Sequence, residues 1–378
     1  MRALFAIASL AITLLSLLLD HEPSSPDSWL CRRGLCRADQ MFRTIDASGM
    51  DLANVSALLN QDPSNPLIWC TYAQLLSANG QGERAAEAFD GAVMLGPGMS
   101  PVLMRAANFD FAQGRQDRGF EMTRRILGQT DAFDQVLFSY LTRSGLPVSA
   151  LAGTAVPPLP SAANAWFEWL RRSGSDTELR ELWSWMRKSQ LADQQSARNF
   201  AWAFWGRKAF ATAQEEWMDW LGLPAGPERL TNVRFEDPPN GSPFDWALTP
   251  SPGVEIRREG GLEIIFPGSG NIDFSSVRQF TTVRGGRYRF SAEIETQGIT
   301  TDQGPMFHIF DPAKPGRLSV ESSPVRGTLA RSWIHLDVPV IAGTQALEVQ
   351  IERHPSQKFD NKIAGTLRVY QVSLLPER

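Results

Sequence analysis

Cysteine and histidine are scarce in this chain, which has three cysteines and four histidines among 378 residues. Structural zinc sites and cysteine-based active sites are built largely from these two residue types. The sequence also contains no GxSxG, HExxH or P-loop motif, and no GxGxxG after a predicted strand. We therefore expect no metal site, no cofactor and no catalytic residue, so the chain is not expected to be an enzyme.

Long runs of like charge are lacking as well. The formal net charge is −4, and no block of five or more like charges occurs anywhere. Proteins that bind nucleic acid usually present a basic face to the phosphate backbone. We therefore expect no nucleic acid among the partners.

The N-terminus carries one long apolar run, residues 3–19, which ends at Asp20. As a helix this run is roughly 25 Å long, close to the lower limit for crossing a bilayer. The leucines at its end lack the small-x-small pattern of a cleavage site. Residues 1–20 therefore predict an uncleaved signal anchor, with a cleaved signal peptide as the alternative. The anchor would make a single-pass inner-membrane protein with most of its chain in the periplasm, and cleavage would release that chain into the periplasm.

Two cysteines follow this run at close spacing. Cys31 and Cys36 are separated by four residues, and an exported segment meets oxidising conditions that permit disulfides. We take this pair as a candidate disulfide. Cys70 stands beside Trp69 in a predicted helix, where a cysteine usually behaves as a small buried hydrophobe.

The next part of the chain repeats with a period of 34 residues. Trp69, Leu103 and Leu137 are 34 positions apart, as are Gly80 and Gly114. The first unit is completed by Ala85, Phe89 and Pro97. This pattern resembles tetratricopeptide (TPR) repeats, in which helix pairs stack into a curved solenoid. The resemblance covers residues 27–145 and implies a protein partner in the solenoid groove.

Residues 146–161 are rich in proline and are expected to form a linker. Helical patterning then resumes over residues 162–225, which we interpret as degenerate TPR-like helices. This block contains eight tryptophans: Trp166, Trp169, Trp183, Trp185, Trp202, Trp205, Trp217 and Trp220. Tryptophans at helical spacing generally pack between helices. A minority facing the groove would be enough to bind a ligand.

From residue 230 onward the apolar pattern changes from helical spacing to alternation. The alternating segments are residues 261–266, 272–280, 287–295, 306–310, 333–340, 346–353 and 366–374. Short alternating segments separated by Gly and Pro are typical of an antiparallel β-sandwich. The predicted fold class is therefore multidomain α plus β, with a membrane-anchor helix, an α-helical TPR-like solenoid and a C-terminal antiparallel β-sandwich.

Several segments of this last region resemble a known family. Residues 261–266 read GLEIIF, residues 284–291 read RGGRYRFS and residues 367–374 read LRVYQVSL. Together they resemble the jelly-roll carbohydrate-binding modules of the galactose-binding-like class. The resemblance covers residues 230–378 and implies a surface that contacts glycan. Many members hold a structural calcium through acidic residues of the closing strand. Tyr370-Gln371 occupies that place here, so no calcium is expected.

Candidate glycan contacts follow from this resemblance, because such modules hold sugars by aromatic stacking and by hydrogen bonds from charged groups. The selected residues are Trp246, Arg289, Glu293, His308, Phe310, Glu348 and Gln350. Glu293 and Glu348 would form a glycosidase pair only if the fold brought both acids to one cleft. The expected role of these two acids is instead a solvated, charged sheet face.

These features together predict a non-catalytic, membrane-anchored periplasmic accessory protein of cell-surface polysaccharide synthesis or export, of the exopolysaccharide or O-antigen type. The solenoid would bind a protein of that machinery, and the β domain would contact the glycan. One alternative is a pure protein–protein scaffold of the cell envelope that binds no sugar. A glycan-processing enzyme is a third and less favoured hypothesis.

Overall fold

The structure is a computed structural model that describes residues 51–223 and 230–377. The predicted anchor at residues 3–19 and the candidate disulfide between Cys31 and Cys36 lie outside these residues. Within the described ranges, no helix is both long enough and apolar enough to span a bilayer. The chain divides into two compact units, Met1–Leu191 and Ala192–Arg378.

The described part of the first unit is helical. Its helices are α1 (Leu52–Gln61), α2 (Pro66–Ala78), α3 (Gly82–Leu95), α4 (Ser100–Ala112), α5 (Gln116–Leu127), α6 (Asp134–Arg143), α7 (Val148–Leu151), α8 (Pro160–Ser173) and α9 (Asp176–Lys188). Helix α2 packs against α3, and α4 packs against α5. The first residues of α2, α4 and α6 are 66, 100 and 134, so the 34-residue period of the sequence is the period of the helix pairs.

Small residues set the spacing inside these pairs. Gly80 and Gly114 both have φ of +75°, the left-handed conformation that ends a helix and that glycine adopts without strain. Ala85 is fully buried in α3. The equivalent position in α5 is Gly119, where a Cβ would lie 2.4 Å from the ring of Phe111. The second helix pair therefore approaches more closely than an alanine would allow.

The proline-rich stretch 146–161, predicted as a linker, contains helix α7. The side chains of Val148, Leu151 and Val156 are buried. Pro147 precedes α7, and Pro160 is the first residue of α8, the two places where proline fits a helix start. In the structure this stretch is a packed connection between α6 and α8.

The second unit begins with a helix pair, α10 (Gln194–Gly206) and α11 (Phe210–Trp220). Ten strands follow: β1 (Ala247–Leu248), β2 (Glu255–Arg258), β3 (Leu262–Pro267), β4 (Phe274–Thr282), β5 (Gly286–Ile299), β6 (Met306–Phe310), β7 (Ser319–Glu321), β8 (Gly327–Val340), β9 (Ala346–Arg353) and β10 (Ala364–Pro376). They form two five-stranded sheets. Sheet I has the order β1-β4-β9-β6-β7, and sheet II has the order β2-β3-β10-β5-β8.

The predicted antiparallel β-sandwich is confirmed, since neighbouring strands pair antiparallel in both sheets. Alternation separates the core from the surface. Phe307 and Val349 of sheet I and Phe290 and Val369 of sheet II are fully buried members of one apolar cluster. Their sequence neighbours on each strand point outward, because successive strand side chains project to opposite faces.

The helix pair α10–α11 packs against the sandwich. The ring of Trp205 lies 4.5 Å from that of Phe280 on β4 and 5.7 Å from that of Phe244. The side-chain oxygen of Gln214 accepts a hydrogen bond of 2.9 Å from the backbone N–H of Thr282. These contacts place the pair in the same compact unit as the strands. The division between units therefore falls within the helical block 162–225 that the sequence predicts as a single segment.

Candidate functional site

The outer face of sheet I carries a patch of polar and aromatic side chains. Strand β9 is the central strand of this sheet, with β4 on one side and β6 on the other. Directly paired residues of neighbouring strands place their side chains on the same face. We call this patch the polar face; its residues are Arg278, Phe280, His308, Phe310, Ser319, Glu321, Glu348, Gln350 and Glu352.

Three polar side chains on the central strand are buried although they belong to this outer face. Glu348, Gln350 and Glu352 are 7%, 8% and 5% exposed. Large side chains on the flanking strands shield them from water. Buried polar groups need hydrogen-bond or charge partners, and the amide of Gln350 donates to the backbone oxygen of Ser275 at 2.8 Å. The centre of the polar face is therefore a shielded polar floor.

Burial and neighbouring charges set the protonation of the floor. Burial raises the pKa of Glu348, and the Arg278 guanidinium, whose Nη1 lies 3.7 Å from a carboxylate oxygen, partly offsets this shift. Burial also opposes ionisation of Glu352, but the imidazoles of His308 and His354 hold its pKa below the usual value. The adjacent Glu352 carboxylate in turn raises the pKa of His308. The floor therefore combines two carboxyl groups of unlike acidity.

Aromatic rings border the polar floor. Phe310 is half-buried, and its ring lies 4.5 Å from the His308 imidazole. At the β4 side, two tryptophans of helix α10, Trp202 and Trp205, cover Phe280. The centre of the Trp202 ring lies 6.3 Å from that of Phe280. Trp202 is nevertheless 41% exposed, and its indole nitrogen donates to the backbone oxygen of Gly241 at 2.9 Å. An exposed and anchored indole thus stands at the rim of the polar face.

Seven residues are predicted from the sequence to contact glycan, and in the structure they lie in three places. His308, Phe310, Glu348 and Gln350 lie together on the polar face. Trp246 lies in the core instead, with 1% exposure and its ring 4.9 Å from that of Phe235, so it cannot reach a sugar at the surface. Alternation could not reveal this, because Trp246 precedes the short strand β1 in an irregular segment.

The remaining two, Arg289 and Glu293, lie on the outer face of sheet II. Glu293 forms a two-bond ion pair with Arg331 at 2.7 and 2.8 Å. Arg289 pairs with Glu377 at 2.6 Å. Glu293 and Glu348 therefore lie on different sheets, on the opposite outer faces of the sandwich, and do not form a paired acid site.

The outer face of sheet II also carries an exposed tryptophan. Trp333 on β8 is 47% exposed, and its ring lies parallel to that of His335 at 6.1 Å, with an angle of 4° between the planes. Its direct strand partner is the half-buried Glu293, which is ion-paired with Arg331, and the Arg331 guanidinium lies 4.0 Å from the centre of the Tyr370 ring. Trp202 and Trp333 are thus two exposed indoles in contrasting settings.

In the first unit, helices α4, α5 and α6 enclose a groove of about 390 Å³. Its lining combines apolar and polar side chains: Met104, Asn108, Phe111, Phe120, Thr123, Tyr140 and Ser144. Tyr140 is 43% exposed, so its hydroxyl-bearing ring is accessible from solvent. Such a mixed lining suits an extended peptide, whose backbone needs hydrogen bonds and whose apolar side chains need contacts.

No family model and no curated protein matches the chain. Similar solved structures include carbohydrate-binding modules, which match the β part, and TPR proteins, which match the helical part. The structure of TmCBM61 with β-1,4-galactotriose is 15% identical over 40% of this chain and 100% of its own, with a TM-score of 0.28. A CBM4 structure is 14% identical, covers 39% of this chain and 99% of its own, and has a TM-score of 0.27. YrrB, a TPR protein with an unusual peptide-binding site, is 13% identical, covers 45% of this chain and 93% of its own, and has a TM-score of 0.24. At these TM-scores, the fold assignment rests on the helix period and strand registers described above.

Proposed function

We propose that the second unit binds a polysaccharide on the polar face of sheet I. The observation that carries this proposal is the buried polar floor of Glu348, Gln350 and Glu352 on a surface bordered by the exposed Trp202. Burying charged groups costs desolvation free energy, and a sheet face that contacts only water would be expected to leave such groups exposed. The floor residues already contact Arg278, His308 and a backbone oxygen, and a ligand rich in hydroxyl groups would add hydrogen bonds to their remaining lone pairs.

The chemistry of a sugar matches these groups. Each hydroxyl both donates and accepts a hydrogen bond, while the sugar ring has an apolar face. Glu348 and Glu352 accept hydrogen bonds, Gln350 and Arg278 donate them, and charged partners make the stronger bonds. The indole of Trp202 offers a flat apolar surface on which one sugar ring can lie. The unit would therefore bind sugars without cleaving them.

The two exposed tryptophans provide a matched test. The full-length protein and its Trp202→Ala and Trp333→Ala variants would be run in affinity gels containing galactan, xanthan, alginate or hydroxyethyl cellulose. We expect retardation by at least one polysaccharide, weakened roughly fivefold to tenfold by Trp202→Ala because a ring contact contributes about 1 kcal/mol. Trp333→Ala should leave retardation unchanged.

The possible outcomes separate the competing functions. Loss of binding in Trp333→Ala alone would move the glycan site to sheet II. Absence of retardation on every polysaccharide would contradict glycan binding and favour the protein–protein scaffold. Release of reducing sugar from any of these polymers would contradict the non-catalytic role.

We further propose that the groove between α4 and α6 binds an extended segment of a partner protein. Asn108 lines the groove on α4, and Tyr140 lines it on α6, so a peptide between them would meet an amide and a hydroxyl. A peptide library displayed on phage would be selected against the wild-type protein. We expect selected peptides to lose binding to Asn108→Ala and Tyr140→Ala but not to Met94→Ala, whose side chain is 81% exposed and is not part of the groove lining. Equal binding to all variants would place the peptide elsewhere.

Both binding surfaces support a role as a membrane-anchored periplasmic accessory protein of cell-surface polysaccharide synthesis or export. The apolar run at residues 3–19 supports the membrane location. The combination of a peptide groove with a glycan-binding face supports a protein that binds both the synthesis or export machinery and the polysaccharide. Membrane fractionation with N-terminal sequencing tests the anchor. A mature N-terminus beyond residue 20 would replace the anchor with a cleaved signal peptide, and recovery in the cytoplasmic fraction would contradict the location.

A further inference from the structure

One corner of the polar face brings together nitrogen and oxygen atoms that suit a metal ion. His308, Glu321 and Glu352 each offer one ligand atom, and these atoms lie within 4.8 Å of one another. His308 Nδ1 is 3.2 Å from Glu352 Oε1, and His354 Nε2 is also 3.2 Å from that oxygen. The atoms come from the neighbouring strands β6, β7 and β9 and from the residue that follows β9.

The Glu352 carboxylate points into this corner with unmet bonding capacity. Glu352 is 5% exposed, and its Oε1 is buried and accepts no hydrogen bond although two imidazole nitrogens are close to it. A buried carboxylate oxygen without a hydrogen bond carries a large desolvation cost. Charge on the two imidazoles offsets part of that cost, and a metal ion between the carboxylate and neutral imidazoles would take over that role.

The hydrogen bond on the far side of the imidazole orients His308 as a ligand. Its Nε2 lies 2.8 Å from the hydroxyl of Ser319. In the tautomer in which Nε2–H donates to Ser319, the Nδ1 lone pair faces Glu352 Oε1. Histidine ligands of metals are commonly held in this way by an outer hydrogen bond. Two ligands of one tetrahedral zinc ion, each about 2.0–2.1 Å from the metal, are about 3.3 Å apart, and His308 Nδ1 and Glu352 Oε1 are already 3.2 Å apart. Glu321 Oε1 lies 3.8 Å from His308 Nε2, so the exposed Glu321 side chain would turn toward Nδ1 to complete the site.

The ligand types narrow the choice of metal. Imidazole nitrogen together with carboxylate oxygen suits zinc and related transition metals, whereas calcium and magnesium prefer oxygen ligands alone. We propose that His308, Glu321 and Glu352 bind a divalent transition-metal ion of the zinc class. This inference does not depend on glycan binding, and its test contains no glycan.

The experiment measures zinc bound to the full-length protein. Metal-free protein carrying Cys31→Ser and Cys36→Ser, which remove the two cysteines outside the described residues, would be dialysed against zinc chloride in the presence of excess magnesium. Bound zinc would be counted by elemental analysis, and cobalt would be substituted to record the visible spectrum of the bound ion. The variants are His308→Ala and Glu321→Gln. The control is His335→Ala, a histidine of sheet II that contacts the Ser291 hydroxyl.

We expect one zinc ion per chain in the parent and in His335→Ala, and almost none in His308→Ala. Glu321→Gln should weaken binding by roughly tenfold or more, a loss of the size seen when a metal site loses one supporting group. Glu321 is exposed on a short strand, so this variant keeps the fold and the test remains decisive even if His308→Ala unfolds. The proposal is wrong if the parent binds no zinc, if both site variants bind zinc as the parent does, or if His335→Ala loses zinc equally.

Discussion

The guanidinium of Arg353 donates a hydrogen bond of 2.9 Å from Nη1 to the side-chain oxygen of Asn271. Arg353 is fully buried at the end of β9, and its other nitrogens donate to backbone oxygens, among them that of Gln303 at 2.9 Å. Asn271 also accepts from the backbone of Ser356 at 2.9 Å. One buried cation thus ties together three loops at one end of the sandwich.

Replacing this cation should destabilise the second unit strongly. We expect Arg353→Met to lower the free energy of unfolding by about 3–5 kcal/mol, because several buried oxygens lose their donor. Urea denaturation measures the loss, and hydrogen exchange in β4 and β9 assigns it to this unit. The control is Arg289→Ala, which breaks exposed ion pairs and should cost less than about 1 kcal/mol. Equal losses in the two variants would contradict the structural role of Arg353.

Replacing either of two glycines in the helical repeats by alanine should change the free energy of unfolding, but in opposite directions. At Gly119 a Cβ would lie 2.4 Å from the Phe111 ring, so Gly119→Ala should destabilise the first unit by about 1–3 kcal/mol. At Gly91 the nearest atom, on Trp69, is 3.9 Å away, and Gly91→Ala should stabilise helix α3 by roughly 0.5–1 kcal/mol. Thermal unfolding compares the variants. A stabilising Gly119→Ala would show that the second pair is more loosely packed than described.

The carboxyl group of Asp134 should make the first unit less stable at neutral pH than at pH 4. Burial, together with the nearby Asp131, raises the pKa of Asp134 to about 6, so folding favours its protonated form. A carboxyl group with a raised folded pKa reduces stability as the pH rises from about 4 to about 6, and the loss is complete above that range. Asp134→Asn should therefore raise the unfolding free energy at pH 7.5 by roughly 1 kcal/mol, after discounting for partial exposure.

Urea denaturation of both proteins at pH 4 and at pH 7.5 checks this sign. The difference between them should be small at pH 4, where the native carboxyl group is already protonated. Asp131→Asn serves as the control, since it removes the neighbouring charge and should give a smaller gain of the same sign. A gain that is larger at pH 4 than at pH 7.5 would contradict the prediction.

The helix pair α10–α11 should be required for a stable sandwich. A fragment of residues 192–378 retains the contact of Trp205 with Phe280 and the hydrogen bond from Thr282 to Gln214. A fragment of residues 228–378 exposes Phe280 and loses that bond. We expect the longer fragment to unfold cooperatively and the shorter one to aggregate or to melt at least several degrees lower, measured by calorimetry. Equal melting temperatures would show that the strands fold without the pair.

The sequence predicted the elements that depend on local pattern. The 34-residue period in the sequence predicted where the helix pairs lie, because glycine caps and close helix contacts recur at the same place in each repeat. The segments 306–310 and 346–353 coincide with β6 and β9, and within β9 the apolar Leu347, Val349 and Ile351 alternate with polar residues. Strands β1, β2 and β7 were not predicted, because two to four residues are too few for a period to show.

The candidate site was only partly predictable. The sequence selected His308 and Glu348 as outward-facing residues, and they do share a face with Phe310. It did not indicate that Glu293 belongs to the other sheet, or that Trp202 of a helix would stand at the rim of this face. The expectation of no metal site rested on the scarcity of histidine and cysteine, and the corner now proposed for zinc joins residues that are 44 positions apart in the chain, His308 and Glu352.

The sequence by itself determined the helical period and the strand alternation, because these depend on the spacing of apolar residues along a continuous stretch of chain. Tertiary structure alone decided which strands are neighbours, and therefore which charges meet. Glu348 and Glu293 have the same alternating surroundings in sequence. Strand order shields Glu348 at the centre of sheet I and pairs Glu293 with Arg331 on sheet II, so burial and charge pairing gave two like residues different chemistry.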